Sequence, residues 1–300
     1  MKRYSNFSDF VKDFSTSEAC FAYLFERKWK DGYQCTQCGN KSSIKGRKQY
    51  YKRCKKCGYD ESPTANTLFH KLKFPIEKAF MIIYQLSTMK KGMSSCEISR
   101  QYGIHQETAW FFKRKVQLAM KSQGFQLLSD NVEVDETVIG GRELGKPGRS
   151  LGRKKRVQVA VEVEYPQEGI KAQIKRAFAV PIEDFTTGSL KKGINQMVDK
   201  QALITTDGWP AYAKAVDQRQ HDVLISNAGE NFQQLHWHIF NLKNWIRGIH
   251  HSISLDHLGD YLAEFYYRFN RRNATSGNTE NIIDQMLKVN WHPYQKLKAS

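Results

Sequence analysis

Two sets of residues in this chain have types and spacings that could do chemistry, and the sharper set is sulfur. Cys35-Thr-Gln-Cys38-Gly39 and Cys54-Lys-Lys-Cys57-Gly58 form two CxxCG knuckles with fifteen residues between Cys38 and Cys54, the spacing of a four-thiolate zinc ribbon. Each knuckle turns sharply enough to aim two sulfurs at one ion, and the glycine after the second sulfur lets backbone amides approach the thiolates. Four sulfurs in a tetrahedron leave no position for water, so the expected Zn²⁺ is structural and not catalytic. Two disulfides would require an oxidising compartment, to which nothing in the sequence points. Cys20 and Cys96 stand apart and read as buried thiols.

The second set is acidic. In Val132-Glu-Val-Asp-Glu-Thr-Val138, strand alternation puts Glu133, Asp135 and Thr137 on one face and Val132, Val134, Glu136 and Val138 on the other. A carboxylate inside such an apolar strand is costly to desolvate unless a cation compensates, and a divalent ion is one such partner. Asp207, delivered into the Asp207-Gly208-Trp209-Pro210 loop by a further strand, is the natural second ligand, because ligand sites in α/β sheets gather near strand ends. Read alone, the same pair also fits one structural strand acid and one turn acid. In the helical stretch Leu235 to Gly248, His236 and Lys243 are seven residues apart and share a face, whereas Asn241 is displaced from His236 by about 140°. An imidazole can complete the coordination of a divalent ion and a lysine two turns on can contact phosphate, while His236 and His238 also fit as ordinary half-buried helix residues.

Charge narrows the partner. Across 300 residues, Lys plus Arg number 47 against 30 Asp plus Glu, a balance of +17 that suits phosphate backbones or anionic membrane surfaces. Membrane association is disfavoured: Met1-Lys-Arg-Tyr-Ser-Asn-Phe has no apolar leader, and the longest apolar stretches, such as Ala79 to Tyr84, are too short to span a bilayer. A soluble, cytoplasmic protein is expected. Of the sixteen residues 41–56 around the knuckles, eight are Lys or Arg and none is acidic, which fits a ribbon that touches nucleic acid, with Tyr50 and Tyr51 available for stacking, or a solvated basic hairpin.

The elements that must position these groups follow from periodicity. Phe7, Phe10, Val11 and Phe14, then Ser17 to Trp29, read as short helices bracing the ribbon, and Ile76 to Thr88 as a helix entered through Pro75. Met93 to Tyr102, Gly103 and His105 to Met120 fit a helix-turn-helix. Its second helix would present His105, Gln106 and Thr108 to bases, with Lys113, Arg114 and Lys115 near the backbone; an ordinary helical hairpin has the same pattern. From residue 131 three strand-like runs (132–138, 157–163 and 174–182), a helix at 189–198, a strand at 202–206 and helices at 232–247, 256–273 and 279–288 describe an α/β domain of the ribonuclease H type. The organisation is then 1–62 zinc ribbon with bracing helices, 63–125 helix-turn-helix, and 126–300 catalytic domain.

With these residues in place the chain resembles the bacterial insertion-sequence transposases that carry an N-terminal zinc ribbon and a ribonuclease H-like catalytic domain of the DDE type. The resemblance rests on Val134-Asp-Glu-Thr-Val-Ile-Gly-Gly141, Thr206-Asp-Gly-Trp-Pro-Ala-Tyr212, the Asn241-Leu242-Lys243 helix, and Tyr261 to Phe265 running into Arg268-Phe-Asn-Arg-Arg272. It implies that Asp135 and Asp207 are the first two catalytic acids and Lys243 the basic residue seven positions after the third. His236 then stands where many relatives have Glu, and Asn241 is its rival as third ligand. It further implies two Mg²⁺ or Mn²⁺ ions, cleavage and joining of double-stranded DNA at element ends and target, and a homo-oligomer on DNA. Arg153, Lys154, Lys155 and Arg156 would supply an electrostatic track for that DNA. A DNA-binding regulator with a decayed catalytic domain, and a nuclease that cuts without joining, are the competing functions.

Overall fold

A computed structural model describes residues 4, 6–121, 126–141, 152, 154–165, 172–225, 227–250, 253–274 and 276–290. The first elements are α1 (Phe7–Asp13), α2 (Ser17–Lys28), β1 (Ser43–Lys45), β2 (Lys52–Cys54), β3 (Asp60–Glu61), α3 (Ile76–Thr88), α4 (Ser95–Tyr102) and α5 (Gln106–Lys121). Then come β4 (Asn131–Ile139), β5 (Lys155–Glu164), β6 (Gln173–Pro181), α6 (Thr187–Met197), β7 (Leu203–Thr206), α7 (Pro210–Ala215) and β8 (His221–Val223). A 3-10 turn (Asn227–Phe232) leads into α8 (Gln233–Ile249), followed by α9 (Leu258–Phe269) and α10 (Asn278–Lys288). The chain forms two compact units, Met1–Gln123 with Asn273–Ser300, and Gly124–Arg272.

In the first unit, β1, β2 and β3 make a small antiparallel sheet that carries the knuckles. Trp29 and Tyr33 pack with Cys35 and Cys54, and Phe25 and Tyr59 close the cluster, so the end of α2 lies against the ribbon. α4 and α5 follow one another across a short turn at Gly103. Ser94 caps α4 by accepting from the Glu97 amide at 3.1 Å, and Gly103 ends it in the left-handed conformation at φ 60°, where a side chain would be strained. Two expectations fail here. Cys20 is buried but Cys96 is exposed. Helix α10, expected to finish the sheet domain, instead packs against α2, α3 and α5. Ile282, Ile283 and Met286 are fully covered there, Ser87 and Thr279 share a hydrogen bond of 2.8 Å, and Arg27 pairs with Asp284 at 2.7 Å. An apolar helical stripe shows that a face is buried but not which surface buries it.

The second unit is a five-stranded sheet in the order β6-β5-β4-β7-β8. β5 runs antiparallel to both β4 and β6, β7 runs parallel to β4 across the α6 crossover, and β8 runs parallel to β7. This is the ribonuclease H-like arrangement of the sequence reading, extended by one strand. β8 was not expected because His221-Asp-Val223 has no apolar alternation, and backbone pairing alone defines it. Helices cover both faces. Val132, Val134 and Ile204 pack with Leu190, Ile194 and Met197 of α6 and Tyr212 of α7. Val157, Val159, Val161 and Val163 pack with Leu235, Ile239, Leu242 and Ile246 of α8 and Tyr261, Leu262 and Tyr266 of α9. Burial on both faces takes in even Gln158 and Glu162, the polar residues that alternate with the valines of β5.

Candidate active site and zinc centre

The zinc centre is built locally. Cys35 and Cys57 sulfurs lie 3.6 Å apart, as do those of Cys38 and Cys54, close to the separation of about 3.8 Å that tetrahedral Zn–S bonds of about 2.3 Å impose. The turns supply the donors: the Gly39 amide reaches Cys35 O at 2.9 Å and the Gly58 amide Cys54 O at 3.1 Å, with both glycines at positive φ. The Cys54 thiol is held down to about 6, first by the backbone amide of Cys57, helped by Asn40 and the Lys56 amide against the opposing effect of burial. A ready thiolate in a closed four-sulfur set fits Zn²⁺. Around it, Lys41, Lys45, Arg47, Lys48, Lys55 and Lys56 are exposed.

The acidic site is assembled by topology. The parallel pairing of β4 and β7 ends at Val134↔Thr206, so Asp135 and Asp207 each follow the last paired residue on adjacent strands, whose spacing is about 4.8 Å. Asp135 lies on the sheet face that α8 crosses, and His236, in the first turn of α8, brings Nε2 within 3.5 Å of Asp135 Oδ2. Asp207 Oδ1 accepts from the Trp209 amide at 3.1 Å, tying the acid into its own turn. Lys243 is close enough to Asp135 for that charge to hold its pKa up, yet burial, then Arg247, with Lys154 as a further contributor, push the amine below the ordinary lysine value. Asn241 is exposed, off the His236–Lys243 face. Among the described residues, only the four cysteines bring three or more ligand atoms within 4.8 Å of one another; the acidic group is more open.

One contact here was not foreseen. The Tyr212 hydroxyl donates to Glu136 Oε2 at 2.7 Å in the buried layer behind the site, so the residue after Asp135 is tied to the loop and helix after Asp207. Burial, then the charges of Glu136 and Asp135, hold the Tyr212 proton far above its ordinary range. Strand alternation already put Glu136 on the opposite face from Asp135, but only the fold reveals its partner.

The basic residues divide. His105 and Gln106 are exposed at the start of α5 and Thr108 is half-buried, with Gln106 Nε2 bonded to Ser95 Oγ at 2.8 Å. Lys113 and Arg114 are corrections: both are buried, the Lys113 amine donating to Met93 O at 2.5 Å and Arg114 to Gln117 Oε1 at 3.3 Å. Lys115 is likewise buried and spent on His70 O at 3.1 Å. Consecutive basic residues point around a helix, and here every direction is covered, so their charges meet backbone and amide oxygens in place of phosphate. Arg153 lies outside the described residues. Lys154 and Lys155 are half-buried, and Arg156 donates to Glu183 O at 2.8 Å and sits over the Phe185 ring at 5.8 Å.

Fold and site together define a zinc-ribbon protein whose second unit is a ribonuclease H-like acid site. Residues 127–270 match the ISXO2-like transposase domain and residues 15–60 the transposase zinc-ribbon domain, stretches that together span well over half of the chain. It belongs to this family of DDE-type insertion-sequence transposases, with a DNA-binding zinc ribbon. Against curated proteins the chain gives no match. Among the described residues no helix is long and apolar enough to cross a membrane.

Proposed function

We propose that this transposase binds the terminal repeats of its element through the ribbon and the helix-turn-helix, and cleaves and joins DNA strands at Asp135, Asp207 and His236. The observation that carries the reading is the parallel β4–β7 pairing, which brings Asp207, just past the end of β7, alongside Asp135 in the middle of β4, seventy-two residues away in sequence, with an imidazole 3.5 Å from Asp135. That donor set fits a hard divalent ion: oxygen and nitrogen ligands each about 2.1 Å from one cation stand roughly 3 to 4 Å from each other. When bound, Mg²⁺ or Mn²⁺ supplies the Lewis acidity that makes water or a 3′-hydroxyl a nucleophile and stabilises the leaving oxygen.

Asp135 would hold both ions from the strand, Asp207 one from its turn and His236 one through Nε2. Lys243 would steady a flanking phosphate, its ammonium kept near Asp135, and no side chain need act as nucleophile. The protein would work as a homo-oligomer on double-stranded DNA in the cytoplasm. His236 is favoured over Asn241 as third ligand because only His236 is placed against Asp135.

The test supplies a labelled DNA end, an unlabelled target and Mn²⁺ to the wild type, Asp135→Asn and Asp207→Asn. Strand transfer by the wild type alone is expected; equal activity in all three would remove the assignment, and cleavage without joining would make the protein a nuclease. His236→Ala should lower activity strongly and Asn241→Ala only slightly. End binding should weaken steeply between about 50 and 200 mM salt.

A further inference from the structure

We infer that the outer face of α8 is a stacking platform for unpaired bases of DNA: Trp237 and Phe240 take the base faces while Lys243 and Arg247, beside them, hold phosphates of the same strand. The inference rests on the strand-cutting site proposed above for the course of that strand, and adds to it a surface that no metal ligand occupies. α8 reads Gln-Gln-Leu-His-Trp-His-Ile-Phe-Asn-Leu-Lys-Asn-Trp-Ile-Arg-Gly-Ile and contains no acid. Leu235 and Leu242, buried against the sheet, lie on one side of His236. At about 100° per residue, Phe240 and Trp237 lie about 40° and 100° round on the other side, and Lys243 and Arg247 fall within about 20° of His236. A row of His236, Lys243 and Arg247 thus separates the core face of the helix from an aromatic face.

The aromatic face is open. Trp237 is 60 % exposed and Phe240 54 %, and their rings meet edge to face with centroids 6.2 Å apart. Single exposed apolar side chains are common on any surface, but two large rings held together in water leave apolar area for a ligand to cover. The charge on this face decides which ligand. Lys243 and Arg247 are neighbours one turn apart on a helix without a carboxylate, and among the described residues Arg247 forms no ion pair. Like charges so placed repel, and an anion relieves them. A second copy of this chain would bring the same acid-free helix and a balance of +17, and like charges facing each other across an interface are penalised. Nucleic acid brings phosphates for the cations and flat base faces for the rings, the combination by which single strands are bound. In a duplex those faces are covered by neighbouring bases, so only an unpaired nucleotide can use them. Asn241 and Asn244, exposed one turn beyond Trp237 and Phe240, add amides able to bond a base edge. Because the cationic row begins at His236, 3.5 Å from Asp135, a strand held at the acid site passes beside the rings.

The experiment uses full-length, zinc-loaded protein without Mg²⁺ or Mn²⁺. The probe is a short single-stranded oligodeoxynucleotide carrying 2-aminopurine, whose emission falls when the base stacks on an aromatic ring, and the same sequence as a duplex is the control. Wild type, Trp237→Ala, Phe240→Ala, Trp237→Phe, Arg247→Gln and Asp135→Asn are compared. The wild type should quench the probe. Each alanine variant should bind the single strand about five- to 150-fold more weakly with duplex affinity unchanged, and Trp237→Phe should recover most of the loss. Arg247→Gln should weaken binding and flatten its salt dependence while quenching at saturation persists. No quenching by the wild type overturns the inference even if the alanine variants fail to fold. Full single-strand affinity in both alanine variants overturns it too, as does an equal loss toward duplex. Sedimentation velocity gives a further way to overturn it: a dimer that dissociates in the alanine variants, with single-strand binding intact, makes this face an interface between copies. Asp135→Asn should quench like the wild type. Strand transfer lost in that variant while the alanine variants bind normally removes this inference alone, whereas strand transfer retained in it, with quenching lost in the alanine variants, removes the active site and leaves the platform standing.

Discussion

The zinc ribbon and the proposed acid site of this transposase are built in opposite ways. In the ribbon, four ligands drawn from twenty-three consecutive residues converge within 4.8 Å, held by tight turns and their own backbone amides. In the sheet domain, Asp135, Asp207 and His236 come from a strand, a loop and a helix spread over a hundred residues, and their polar atoms stay more open. A closed site serves stability, whereas an open one leaves room for water and a substrate phosphate. The difference also sets what each site needs from the rest of the molecule: the ribbon needs its ion, and the acid site needs the sheet.

The largest effect should come from removing the ribbon's zinc. Structural zinc contributes on the order of 10 kcal/mol to its own module, so stripping it with a strong chelator, which is removed before Mn²⁺ is added, should unfold the ribbon and abolish DNA-end binding while Mn²⁺ still binds the acid site. Simultaneous loss of both by chelation would show that the two sites are not independent. Next is Asp135→Asn, expected to lower strand transfer by at least about 10³-fold, about 4 kcal/mol of barrier, with melting temperature and end binding unchanged.

Tyr212→Phe sharpens the comparison, because it deletes the hydrogen bond from Tyr212, after Asp207, to Glu136. Leaving a buried carboxylate short of a donor should cost about 1–3 kcal/mol of stability and lower kcat more than DNA affinity. Full kcat in that variant would mean that strand pairing alone sets the two acids.

The smallest effect is acid sensitivity. His238, two residues from His236 on α8, is buried, its ring 4.4 Å from that of Phe269. Burial, with Arg272 adding to it, lowers its pKa to about 3. The unfolded chain takes up a proton near pH 6.5 that the folded ring refuses. Stability from this residue is therefore complete above about pH 6.5 and falls as pH drops toward 3, by up to about 1.4 kcal/mol per unit. Urea melts at pH 7 and 5 should show that loss in the wild type and a smaller one in His238→Phe.

Much of this was legible in the chain. The two histidines of α8 show the limit: His236 and His238 look alike in sequence, and a helical turn of about 200° between them sends one to the acid site and the other into the α9 interface. Lys113 and Arg114 show it again, since a basic run reads as a phosphate contact until packing covers it. α10 shows it for a whole element, amphipathic by pattern but docked on the N-terminal helices.

What the sequence determined by itself was local: the knuckles, because four sulfurs at that spacing dictate their own geometry; the helices and long strands, because period 3.6 and period 2 are written in apolar spacing; and the presence of two acids, because a carboxylate among valines demands a partner. The tertiary structure decided which of these meet. Parallel pairing of β4 with β7 set Asp135 and Asp207 on neighbouring strands, α8 crossing that face brought His236 to Asp135, and burial joined Tyr212 to Glu136 behind them. Contacts between distant segments depend on how sheet and helices close around a common core, and no short stretch of residues carries that information.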